Sequence, residues 1–591
     1  MFSAHELLTR WPALDVAAKR ARLQNSLHLS PGPLAGALNA SAGAATRAAN
    51  GLWKRDPSVW SHEPAVQKAI ADRLGWLDSP ALMADSIDRL QTFAAGVKRD
   101  GFTDVVLLGM GGSSLAPEVL RAVIGVASGS PRFHMLDSTD PAAVRATTDA
   151  ITPTKSLFLL ASKSGGTIEP NVLAAHFRQT LEAGGVSRWA DHFVAITDPG
   201  TAVERRARDE KFRDVFLNPP DIGGRYSALS FFGMVPAALM GQNLGEIIGW
   251  GLAMLAASDP GAAGAMENPA VALGLAMGAA AREGVDKLTL LAPSSLDAFG
   301  LWVEQLIAES TGKKGTGIVP IANEPLGDAS KYGTDRLFVR VRTQGAGDVD
   351  TLDALQRALL AQHAPGVDVA VPEPAALGAE FVRWEIATAV AGALLEIDPF
   401  DQPNVQQAKD ATQALLGQFK STGKLPIPPA DRTLNNGIAL TLSSAAGKTL
   451  TATDSDAFLS LIRQGDYFAL LAYVSTMDRA LAEELRTLRQ AVRDRTRAAT
   501  MFGYGPRYLH STGQLHKGGA NSGVFLLITA APHGDVPIPG EPFSFGTLEL
   551  AQAVGDFNSL DAAGRRALHA HLPAPDRALL RELSDALLAR L

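Results

Sequence analysis

The chain has 591 residues, 46% apolar and 19% charged, with a net charge of −7 and no cysteine. That length predicts several domains. The acidic balance argues against nucleic acid or an anionic membrane as partner, and the missing cysteines exclude disulfides and thiolate metal sites. The N-terminal segment, residues 1–95, carries apolar residues at helical spacing, a Ser/Gly/Ala-rich break near Ser41–Gly51 and no β-branched run, so it predicts a helical arm without a strand. It also lacks the apolar core of a signal peptide. From residue 96 to 260, strands alternate with helices: Val105–Leu108, Phe133–Asp137, Leu157–Ala161, Phe193–Thr197 and Val215–Asn218. Such alternation predicts a parallel sheet covered on both faces. The apolar stretches Val235–Ala257 and Pro269–Ala281 are interrupted by Gln, Asn, Glu and Gly, so they read as buried helices and not as membrane spans.

A second βα series fills 261–420 and a C-terminal α/β extension fills 421–591. The two resemble each other. The first runs strand Leu288–Leu291, helix Asp297–Thr311, strand Leu337–Val341, then Glu373-Pro374 and a helix through Gly378. The other runs strand Tyr467–Val474, helix Asp478–Ala499, strand Phe525–Thr529, then Glu541-Pro542 and a helix through Gly546. Two readings stand: an internal repeat, or chance likeness between ordinary βα units. Between them, Leu425–Asp431 is a linker, and Ala439–Ser443 with Thr449–Thr453 predicts a hairpin.

Two strand-to-helix turns carry small and hydroxylated residues. Ser162-Lys163-Ser164-Gly165-Gly166-Thr167 follows Leu157–Ala161 and opens a helix, so its backbone amides and three hydroxyls favour an anion such as a phosphate. Gly111-Gly112-Ser113 follows Val105–Leu108. It is either part of the same site or a turn that lets helix pack on strand, and its spacing is not that of a dinucleotide fingerprint. Asp221 to Ser227 (DIGGRYS) sets Arg225 after a glycine pair, where a guanidinium can meet an oxyanion. Gln305 and Glu309 lie four apart on one helix face; Glu309 follows Ile307-Ala308, as a partly buried base would, or it pairs with Lys313 at the surface.

Taken in order, GMGGSSLAP, SKSGGTIEP, DIGGRYS, QLIAESTGK and DPFDQPNVQQAK resemble the glucose-6-phosphate isomerase family over residues 50–415. The tail, GYGPRYLHSTGQLHKGG with SFGTLELAQAVGD, is similar to the isomerase half of transaldolase/isomerase fusions. No transaldolase barrel, typically ~250 residues, fits ahead of residue 100. The resemblance implies two sugar-isomerase (SIS) α/β domains with a sugar-phosphate substrate between them, and a cytoplasmic enzyme. It also implies metal-free and cofactor-free transfer of a proton through a cis-enediol. By position it assigns Ser162, Lys163, Ser164 and Thr167 to the phosphate, with Gly111, Gly112 and Ser113 bordering the site. Arg225 falls on the enediolate, Glu309 on the base with Gln305 beside it, and Lys409 on ring opening. The family's ring-opening histidine is missing from Asn323–Arg342, and His510 or His516 is the replacement the sequence offers. The rival functions are another sugar-phosphate isomerase, one also accepting mannose 6-phosphate, or a non-catalytic sugar-phosphate-binding regulator. The chain is expected as a monomer or homodimer, the repeat standing in for a second subunit, with a separately encoded transaldolase as a possible partner.

Overall fold

Three parallel-stranded sheets succeed one another along the chain; the computed structural model describes residues 3–343 and 347–591. The first takes strands Asp104–Leu108, Arg132–Leu136, Ser156–Ala161, Phe193–Thr197 and Asp214–Leu217, all parallel. Across the sheet they run second, first, third, fourth, fifth. Helices cover both faces, which is why Asp104–Leu108 and Ser156–Ala161 are buried along their whole length.

The second sheet has parallel strands Lys287–Leu291, Val319–Ile321, Arg336–Thr343 and Gly366–Val371. The third has Tyr467–Tyr473, Ala499–Tyr504, Gly523–Ala530 and Arg566–Leu572. In each the order is second, first, third, fourth, and an antiparallel strand closes the far edge. Those edges are Leu27–Ser30 in the second sheet and Ala439–Leu442, flanked by Arg432–Thr433, in the third. The extension therefore repeats the topology of the second sheet.

The structure corrects the sequence reading in four places. The N-terminal segment does supply a strand, because Leu27–Ser30 pairs with Gly366–Val371. The small residues of Ser41–Gly51 lie inside one helix, Ala35–Lys54, where Ala45, Ala48, Ala49 and Gly51 form its buried face. Ala439–Leu442 pairs with Arg566–Leu572 and Arg432–Thr433, and residues 449–453 form no strand. The two Glu-Pro steps are not equivalent: Glu373-Pro374 follows the fourth strand of its sheet, whereas Glu541-Pro542 leads into helix Phe545–Ala562, between the third and fourth strands of its own.

Helices Leu244–Ala257, Val271–Arg282 and Leu377–Leu394 form a buried layer between the first two sheets and the N-terminal helices. They pack closely: a Cβ on Gly378 would stand 1.9 Å from the carbonyl oxygen of Ile247. Among the described residues no helix is long and apolar enough to cross a membrane. The third sheet is pinned to the second by Arg489, on helix Arg479–Thr496, which donates to the carbonyls of Ala322 and Asn323 at 2.9 Å. Helix Val405–Thr422 then crosses helix Phe545–Ala562, with Thr412 against Gly555. That crossing brings the third sheet's side chains to the carboxyl ends of the first.

Candidate active site

Two turns of the first sheet form the floor. After Asp104–Leu108, Gly111–Ser113 makes a single tight turn with Gly111 at φ +53°. A Cβ on Gly112 would lie 2.0 Å from the carbonyl oxygen of Gly224, so only glycine lets this turn abut the turn Gly224–Tyr226 that presents Arg225. Ser113 is buried within it. After Ser156–Ala161, the second turn runs to Thr167, and helix Ile168–Ala183 starts with no side-chain cap on its amides. The Ser162 hydroxyl is buried without a partner, while Ser164 and Gly166 are exposed. Uncapped amides beside a free hydroxyl are what an anion needs. Lys163 is committed elsewhere, to Asp198 and to the carbonyl of Pro220.

Helix Asp297–Thr311 of the second domain supplies the groups above that floor. The Gln305 amide donates to Glu309 Oε2 at 3.1 Å and to the backbone oxygen of His510 at 2.8 Å. Glu309 is 9% exposed, and its Oε1 lies 3.6 Å from Arg225 Nη1. Arg225 is 2% exposed and locked by donation to Ser310 Oγ at 2.6 Å, Gln402 Oε1 at 3.0 Å and the carbonyls of Pro399 and Asp401 at 2.7 and 2.8 Å. Its charge is therefore fixed in place beside the carboxylate. Lys313 does not pair with Glu309: it is buried against Asp398 and Asp401. Burial, with the Arg225 charge, pushes its amine down to about 8.

The third side comes from the extension. His510 Nε2 lies 2.8 Å from Glu169 Oε1, and the same oxygen accepts from Gln552 Nε2 at 2.7 Å. Thr139 Oγ1 in turn donates to Gln552 Oε1 at 2.8 Å, which orients the amide with its N–H toward Glu169. Burial works to raise the Glu169 carboxyl, but the His510 and Lys409 charges and the His510 hydrogen bond outweigh it and hold the group below the usual glutamate value. An ionised Glu169 only accepts, so His510 presents an Nε2 proton to it. His510, Glu169, Lys409, Thr167 and Gly166 line one narrow cleft.

His516 is not part of it. It is 1% exposed among Tyr467, Tyr508 and Phe525, with neither ring nitrogen hydrogen-bonded. Burial, with Lys517 and Arg565 nearby, pushes it well below the usual histidine value, so it is a neutral core residue. Lys517 is likewise taken, by Asp556 at 2.5 Å. The structure adds Glu169, Gln402, Ser310 and Gln552 to the residues read from sequence. Each lies inside a motif already quoted, SKSGGTIEP, DPFDQPNVQQAK, QLIAESTGK or SFGTLELAQAVGD.

Residues 81–317 match the family model for phosphoglucose isomerase. This stretch is similar to a phosphoglucose isomerase domain. It contains the two floor turns, Arg225, Gln305 and Glu309, whereas Lys409 and His510 lie beyond it. The glucose-6-phosphate isomerase of Rubrobacter xylanophilus is 28% identical over 407 residues, 60% of this chain and 91% of that one. That of Parasynechococcus marenigrum is 29% identical over 463 residues, 70% of this chain and 81% of its own length. In fold, a hypothetical protein from Thermus thermophilus superposes with a TM-score of 0.55 at 23% identity, covering 66% of this chain and 99% of that one.

Proposed function

We propose that the protein interconverts glucose 6-phosphate and fructose 6-phosphate by moving one proton between C2 and C1 of the opened sugar. The observation that supports this most directly is the pairing of Glu309 with a fully anchored Arg225 at 3.6 Å, above a turn with uncapped amides. The phosphate sits on the Ser162–Thr167 turn, held by backbone amides and the hydroxyls of Ser162, Ser164 and Thr167. His510, with Lys409 across the cleft, opens the ring: Nδ1 takes the C1 hydroxyl proton and returns it to O5 as the C1–O5 bond breaks. The Glu309 carboxylate then takes the proton from C2, electrons shift toward the C1 oxygen, and Arg225 stabilises the enediolate. Glu309 returns the proton to C1 as the C2 hydroxyl proton passes to the C1 oxygen, giving the ketose. Every group in this sequence lies on this chain, which favours a monomer as the working unit, and the reaction fits a cytoplasmic enzyme.

The test is turnover of fructose 6-phosphate with and without EDTA, in wild type and Glu309→Gln. Removal of a general base costs about 10²–10⁴ in rate. Wild-type turnover that survives chelation and falls by that factor in the variant is the expected result. A wild type that binds sugar phosphate without turning it over would leave a regulator in place of an enzyme.

A further inference from the structure

The strand order that builds the catalytic cleft recurs in the third sheet, and there it ends on a cavity the reaction does not use. In the first sheet the floor turns leave the carboxyl ends of the first and third strands, which lie side by side. Adjacent strands whose connections diverge are where open parallel sheets take their ligands. In the third sheet the corresponding strands, Tyr467–Tyr473 and Gly523–Ala530, also pair directly. The turns that leave them, through Ser475 and Met477 and through Ala531 and His533, line a cleft of about 800 Å3. Asp140 and Arg145, at the start of helix Pro141–Ala150, form the facing wall.

Its floor holds a polar group left without a partner. Glu549 is 8% exposed and its Oε1 has no hydrogen bond within the protein. Tyr473 is buried beside the same cleft with its hydroxyl turned toward Tyr508. Burial, reinforced by Asp140 and Asp535, raises the Glu549 carboxyl well above the usual value, so it is neutral and can both donate and accept. Unpaired buried groups of this kind carry a desolvation penalty that a ligand's hydroxyls would relieve.

The rim carries both signs of charge. Asp140, Asp478 and Asp576 already cap the helices that begin at Pro141, Arg479 and Arg577, so these amides are spent and three carboxylates stand in front of them. One Arg145 nitrogen is spent on the carbonyl of His533, its Nη1 is buried without a partner, and Arg479 stands on the same rim. A phosphate would meet the three carboxylates as well as these two guanidiniums, whereas hydroxyl groups suit both kinds of partner. The cleft also reaches the catalytic side. Glu549 and Gln552 are one turn apart on the same helix, and Asp140 follows Thr139; Gln552 and Thr139 are the pair that hold Glu169 beside His510.

We propose that this cleft is a second ligand site, for an uncharged polyhydroxylated molecule such as a free sugar or sugar alcohol, and that its occupancy is felt at His510 through Gln552 and Thr139. Two obstructing variants separate it from the catalytic cleft. Ala480→Trp fills it from an exposed helix position, and Gly166→Trp fills the catalytic cleft at an exposed glycine with open space around it. Ligand-observed NMR with sorbitol and with glucose, at about ten times a weak ~1 mM Kd, is the readout. Binding to wild type and Gly166→Trp, but not to Ala480→Trp, is expected. Ala480→Trp should keep its basal turnover, and sorbitol should change wild-type kcat/KM by about fivefold or more, leaving that variant unmoved. Binding lost in Gly166→Trp, binding retained in Ala480→Trp, or no binding of either probe overturns the site. Inorganic phosphate binding there in place of the sugars overturns the charge argument, and binding with no kinetic effect overturns the coupling to His510.

Discussion

Glu169→Gln separates the charge of the group that holds His510 from its shape. The carboxylate oxygen accepts from His510 at 2.8 Å and from Gln552 at 2.7 Å, and Thr139 fixes which way Gln552 faces. A glutamine oxygen in the same place still accepts both bonds, so the histidine keeps its orientation and its tautomer, and only the negative charge is lost. Hydrogen bonds to charged groups contribute ~1.5–3 kcal/mol against ~0.5–1.5 kcal/mol for neutral ones, so the bond to the imidazolium formed in ring opening weakens by about 1–1.5 kcal/mol. At 1.36 kcal/mol per factor of ten, kcat should fall about fivefold to tenfold. KM should hardly change, since the phosphate turn is untouched. Stability supplies the control. The folded pKa of Glu169 lies below the ordinary 4.5. Its ionised form therefore contributes stability that is fully present above the unfolded pKa and is lost as pH falls through the lower folded value. The variant lacks that contribution at every pH, so the gap between the two proteins in urea melts should be open at neutral pH and close in acid. Coupled-assay kinetics at neutral pH complete the experiment. An unchanged kcat with the stability gap intact would refute a proton-accepting His510, and a loss of ~10⁴ would show instead that the tautomer had switched.

Three further outcomes are expected. His510→Ala should lower turnover by about 10²–10⁴, whereas His516→Leu should leave turnover unchanged and the melting temperature equal or higher, because two unpaired ring nitrogens leave the core. Specific activity should stay constant on serial dilution, since one chain supplies every group of the site; a fall that tracks loss of a dimer in sedimentation would contradict this. Gly112→Ala should fold yet lose at least about tenfold in kcat/KM. Its Cβ cannot sit 2.0 Å from the Gly224 oxygen without separating the glycine turn from Arg225, and full activity would show that this packing does not position the guanidinium.

The first sheet was legible because strands buried on both faces are continuous apolar runs, as in Leu157–Ala161. Leu27–Ser30 was not: LHLS alternates for only four residues inside an otherwise helical segment, and the strand it pairs with, Gly366–Val371, lies more than 300 residues later. The three-residue strand Val319–Ile321 is too short to show a period. In the site, the residues with a local reason to be there, a hydroxyl turn or an i, i+4 pair, could be read directly. His510 and His516 share one glycine-rich segment, and what distinguishes them is tertiary: Glu169 beside the first, and Tyr467, Tyr508 and Phe525 around the second. Locally Glu169 is one acidic residue in a first helical turn, and nothing near it in sequence announces Gln552.

The stretch between helix Val405–Thr422 and strand Arg432–Thr433 is largely exposed and without regular structure. The part of the chain on its C-terminal side carries His510 and Gln552, and binds the rest of the molecule through Arg489 to Ala322 and Asn323, Gln514 to Gly312 and Arg507 to Asp137. Covalent continuity at this stretch therefore contributes no catalytic group; it sets the effective concentration at which one body meets the other. A chain nicked there should stay assembled and active, and two separately made fragments should titrate against each other to restore turnover, the C-terminal piece behaving as a saturable ligand that carries a histidine.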